Sequence, residues 1–88
     1  MTTIQDNIVG LLKTAPKKAL LLATDEFEKA ETIDDIENQL FHSLIISRAQ
    51  YLLGIYQKGL EDAYAFLKLH TKFDRQSGIA KCLSLIHI

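Results

Sequence analysis

Residues Ile33–Leu69 read IDDIENQLFHSLIISRAQYLLGIYQKGLEDAYAFLKL, and no proline interrupts them. Ile33, Ile36, Leu40 and Leu44 form one stripe at helical spacing. Phe41, Ile45, Ala49, Leu52, Tyr56, Ala63 and Leu67 form a second, in steps of three, four or seven. Gly54 and Gly59 each cost about 1 kcal/mol relative to alanine inside a helix. One way to divide the segment is a stop at Lys58-Gly59 and a fresh start at Glu61 and Asp62. No N-cap residue follows Gly59, however, and the apolar phase carries across it. The segment therefore predicts a single long helix in which Gly54, Gly59, Ala49 and Ala63 mark close approach to a neighbouring backbone. Lys68, His70 and Lys72 are cations suited to its C-terminal end.

Two shorter helices are predicted before it. Thr2-Thr3-Ile4-Gln5 has the spacing of a capping box, and Ile4, Ile8, Leu11, Leu12 and Ala15 recur at helical intervals. Pro16 ends that run and can open the next helix, where its missing N–H does no harm. The second helix covers about 16–30, with Leu20, Ala23, Phe27 and Ala30 on one face. Thr32 reads as the N-cap of the long helix, with Asp34, Asp35 and Glu37 compensating its dipole. After Leu69, residues 73–78 read as a polar loop and Ile79–Cys82 as the start of another helix. No internal repeat stands out. The expected fold is all-α: a small helical bundle of two short helices packed on one long third helix, forming one domain over residues 1–82.

The last six residues, Leu83-Ser84-Leu85-Ile86-His87-Ile88, resemble a translated transposase mosaic-end adapter, which reads Leu-Ser-Leu-Ile-His-Ile in frame. They are expected to be a non-native tail on a truncated C-terminus and are excluded from the fold argument.

Composition bounds the function. Eighty-eight residues, 48% of them hydrophobic and 24% charged, make one ordinary globular domain. A net charge of −1 exerts no global pull toward nucleic acid or acidic lipid. The single cysteine, Cys82, has no partner in the chain and reads as a reduced, cytoplasmic thiol. The longest apolar run, Ala19 to Ala23, is far short of the ~20 residues needed to cross a bilayer. No membrane partner is expected.

A helix of 37 residues would be about 55 Å long, against about 30 Å for a compact domain of this size. Between Leu40 and Leu69, 18 of 30 positions are hydrophobic, whereas a helix covered on one face needs about three in seven. Such a helix requires further cover. The expected partner is a second copy or another protein, with Leu44, Ile45, Leu52, Tyr56, Leu60 and Leu67 as the contact residues. A homodimer through antiparallel long helices is the favoured form.

Chemistry is sparse. Residues 25–37 hold seven acids and one lysine, a net −6 that leaves +5 elsewhere. They lack both the Glu-x-x-His spacing of di-iron bundles and the loop of a calcium hand, so a solvated junction is the expected reading. That asymmetry also suits attraction between opposite ends of neighbouring chains. His42 and His70 have no evident nucleophile beside them, and Cys82 has no evident base. Neither catalytic residues nor a cofactor nor a metal site is expected. Lys68, Lys72, Arg75 and Lys81 are mildly basic, and Arg48 with Tyr51 and Tyr56 resembles a stacking platform, but Glu61, Asp62 and Asp74 interrupt the charge. Residues 56–64 resemble the long terminal helices of small helical bacterial proteins, a generic likeness that carries no residue role over. The function expected is a small interaction or regulatory module. The alternatives are a nucleic-acid-associated regulator, or an N-terminal fragment of a larger helical protein or enzyme whose site lies beyond residue 82.

Overall fold

The segment expected to be one helix is two. In the computed structural model, which describes residues 4–86 and side chains as far as Leu83, α3 spans Ile36–Leu52 and α4 spans Tyr56–Lys72. Between them Gly54 stands at φ +74°, a left-handed conformation that glycine adopts without steric cost. The N–H of Ile55 reaches back to the carbonyl of Gln50 at 2.9 Å, and that of Gly54 to Tyr51 at 3.1 Å. Together these bonds make a Schellman ending, which satisfies the last carbonyls of α3. Gly54 is thus the break, while Gly59 continues inside α4.

Three more helices complete the chain: α1 (Ile4–Thr14), α2 (Pro16–Thr32) and α5 (Gln76–Ile86). The fold is all-α, but it is a bundle of five helices of 11 to 17 residues, not two short helices on one long third helix. The loop expected over 73–78 shrinks to Phe73–Arg75, and α5 takes up the rest. Thr32 does not cap α3. It is the last residue of α2, and its hydroxyl donates back to the Lys29 carbonyl at 2.6 Å. The cap is Asp35, whose carboxylate accepts from the Asn38 N–H at 3.2 Å and from the Asn38 side-chain amide at 2.6 Å. Thr2 and its capping box lie outside the described residues. The segment read as a foreign tail continues α5 as far as Ile86, and His87 and Ile88 lie outside the described residues.

A recurrence of 20 residues runs through the chain. Helices α2, α3, α4 and α5 begin at 16, 36, 56 and 76, and the first three end at 32, 52 and 72. Each ends in the same way, with Asp34, Gly54 and Asp74 at positive φ. The N–H groups of Asp35, Ile55 and Arg75 bond the carbonyls of Ala30, Gln50 and His70 at 2.8–2.9 Å. Small residues recur in register at Ala23, Ser43 and Ala63, and all three are buried. The spatial contacts climb one helix as they descend the next. Gln39 reaches Ala30, Gly59 lies on Gln50, and Ser43 meets His70. From α2 onward, consecutive helices are therefore antiparallel hairpins joined by three residues, whereas Ala15 alone joins α1 to α2.

Helix α3 sits at the centre and packs against all four others, which explains its lack of a polar face. Ile8 from α1, Ala19 and Ala23 from α2, and Ile45 and Ile46 from α3 form the core cluster, with Leu11, Leu12, Leu20, Phe27, Phe41 and Phe66 packed around it. The molecule measures 32 × 30 × 20 Å, and a 17-residue helix of about 26 Å fits within it. Among the described residues no long helix projects from the bundle, so dimerisation through one loses its premise. Among the described residues, no helix is long and apolar enough to cross a membrane.

Candidate functional site

Breaking the long helix scatters the residues expected to line one interface. Ile45 belongs to the core, and Leu44 and Leu67 are half-buried. Leu52 at the end of α3 and Tyr56 and Leu60 in the first turns of α4 are exposed. The three exposed residues are divided between two helices, so the second stripe is not one surface.

A concavity lies between α2 and α4. Both helices pack on α3 or its neighbours but make no close backbone approach to each other, and they meet through the rings of Phe27 and Phe66, 5.5 Å apart. A groove of about 670 Å³ remains, floored by Ile46 and Gln50 and walled by Leu20, Leu21, Ile55 and Phe66. Leu21 is 65% exposed in it. Asp25, Glu28, Glu31 and Asp62 line the rim, against Lys58 alone among cations. Lys58 pairs with Asp62 at 3.5 Å and Lys29 with Asp25 at 3.1 Å. Glu28 and Glu31 have no ion-pair partner among the described residues. Gln50 donates to the Asp62 carboxylate at 2.7 Å, while its buried Oε1 has no partner.

A smaller hollow of about 400 Å³ lies where α1 meets the end of α3. Val9, Leu12 and Leu52 line it, with Lys13 and Arg48 at its edge. The Arg48 guanidinium sits 5.9 Å from the centre of the Tyr51 ring, which in turn lies 6.1 Å from Tyr56. The expected stacking residues are thus brought together, packed on one another. Of the residues expected at an interface, only Leu52 lines either cavity.

Under the surface, α3 carries a seam of buried polar groups: Gln39, His42, Ser43, Ser47 and Gln50. Ser43 Oγ and His70 Nε2 lie 2.9 Å apart, and Ser43 also donates to the Leu40 carbonyl at 2.7 Å. Which of the two donates is set by the imidazole tautomer. Both side chains are closed to solvent. The pair ties α3 to α4. Burial pushes the His70 pKa down, opposed by the nearby Leu40 carbonyl, and leaves Nδ1 without a partner. His42 is also buried and pushed down, with Glu26 and Asp35 acting in the other direction. His42 and His70 are therefore interior groups, and His70 is not the helix-end cation that its sequence position suggests. Cys82 is fully buried in α5, and burial raises its pKa.

The acidic residues of 25–37 spread over α2, the turn and the start of α3, with Glu37 paired to Arg75. Among the described residues, no group of three or more His, Cys, Asp or Glu side chains is placed to hold a metal ion. No protein-family model, curated protein or solved structure matches the chain.

Proposed function

We propose that the chain is a small helical protein-interaction module whose binding surface is the groove between α2 and α4. One observation carries this reading: a concave apolar surface stays open beside the core where α2 and α4 make no close backbone approach and the Phe27 and Phe66 rings meet. Its width between two helices over a third suits an amphipathic helix, which lays an apolar face into such grooves and is read through side chains at i, i+3, i+4 and i+7. The acidic rim adds a preference for lysine and arginine flanking that face. Leu21, exposed at the wall, supplies contact area that folding alone does not use.

Selection from a displayed library of randomised helical peptides tests the proposal. The expected winners carry an apolar stripe with basic flanks and lose about tenfold or more in affinity for Leu21→Asp. They should keep it for Tyr64→Asp, an exposed position of α4 outside the groove. No enrichment, or winners indifferent to Leu21→Asp, overturns the proposal.

A further inference from the structure

We propose that the occupant of the α2–α4 groove is a second copy of this chain, docked head to tail through the exposed α1 face that carries Val9 and Lys13 beside Leu52 and Arg48 of α3. The inference rests on the groove being a protein-binding surface and names what fills it. The two surfaces share no residue, so one molecule can offer both at once. They have matching apolar centres and opposite charge. The groove carries Glu28 and Glu31, exposed and unpaired among the described residues, while the α1 face carries Lys13 with Arg48 beside it, exposed and without a carboxylate partner there.

Charges already neutralised within the chain contribute little to docking. Those left over are acids on one surface and bases on the other, and such an arrangement fixes partner and orientation more than it adds affinity. Val9 and Leu52, both exposed on that face, provide the apolar contact facing Leu21. Contact between two different patches is heterologous, so it produces rings or open chains in place of the closed two-fold dimer of an isologous interface.

Sedimentation of the 88-residue chain tests this directly. Self-association is expected at low salt, weakening about tenfold or more at about 0.5 M, where screening is short-ranged. Glu28→Lys with Glu31→Lys should give a monomer, and so should Lys13→Glu with Arg48→Glu. A chain carrying all four changes has its charges swapped across the contact, and it should associate again. All four positions are exposed, and circular dichroism confirms that each variant is folded. A wild-type chain monomeric to about 1 mM, a salt-indifferent oligomer, or failure of the fourfold variant to recover overturns the proposal. If the chain stays monomeric while library peptides still bind the groove, the self-docking proposal alone fails and the groove remains a binding surface.

Discussion

Gly78 of α5 lies so close to the His70 imidazole of α4 that a β-carbon at position 78 would overlap the ring. The approach of Gly59 to Gln50 one hairpin earlier, offset by one position in the 20-residue register, is looser. A β-carbon on Gly59 would meet the Gln50 Cβ at 3.3 Å, which a shift of a few tenths of an ångström relieves. Both glycines are inside helices, where alanine gains about 1 kcal/mol. At Gly78 that gain is set against displacement of a buried ring, an overpacking cost of about 1–3 kcal/mol. Gly78→Ala should therefore destabilise the protein by up to about 2 kcal/mol. Gly59→Ala should leave it unchanged or up to about 1 kcal/mol more stable. Urea denaturation of both variants checks the order, and the reverse order would remove the close packing of α5 on α4.

The two buried histidines make stability depend on pH. Unfolded, each titrates near the ordinary value of 6.5; folded, burial holds both lower. Below about 6.5 the unfolded chain binds more protons than the folded one. Stability is therefore lost as pH falls through that value, by at most about 1.4 kcal/mol per pH unit for each histidine, until the folded-state values are reached. Above about 6.5 the contribution is complete and flat. Thermal midpoints measured from neutral to mildly acidic pH should fall for the wild type and fall less steeply for His70→Gln, whose amide can still hydrogen-bond Ser43. An equal slope in that variant would show that folded His70 takes up its proton as readily as the unfolded residue does.

Cys82 offers a probe of α5. Its side chain is wholly buried, and burial raises its pKa, so both access and thiolate fraction are low. Reaction with a disulfide reagent near pH 8 should run about a hundredfold or more slower than for a free thiol, at the rate at which α5 opens. Denaturant should restore the full rate. Fast labelling of the native chain would show that α5 does not stay docked on α3 and α4.

Much of this fold was legible in the chain. The apolar spacing of Ile4 to Ala15, the break at Pro16 and the helix through Phe27 all appear in the structure. The division of the central segment was missed because Leu53 and Ile55 keep the apolar phase while the backbone turns. Gly54 lies between them, and a glycine flanked by apolar residues lacks the polar signature of a turn. The signal that was available is the 20-residue spacing. Asp34, Gly54 and Asp74 are residue types that tolerate the left-handed region, and Ala23, Ser43 and Ala63 keep a small side chain in register. Identity across the hairpins is too low for the repeat to show as similar strings. The Ser43–His70 pair was hidden for the same reason, because 27 residues separate partners that only antiparallel α3 and α4 bring together. The groove depends on how far α2 and α4 splay, which no local pattern encodes.

The three equivalent turns lead to the last prediction. Asp34, Gly54 and Asp74 share a φ of +53° to +74°, but only glycine is free of the β-carbon clash there, which costs other residues about 1–2 kcal/mol. Aspartate bears part of that cost. Asp34→Gly and Asp74→Gly should each stabilise the chain by about 0.5–1 kcal/mol, and Gly54→Ala should destabilise it by about 1–2 kcal/mol. The Asp74 gain should be the smaller, because the Asp74 carboxylate accepts a 3.0 Å bond from the Gln76 side chain that glycine forfeits. Denaturant midpoints of the three single variants give the comparison. A Gly54→Ala protein as stable as the wild type would mean that the turn does not hold the left-handed residue, and the chain between Leu52 and Tyr56 would be free to run on as helix.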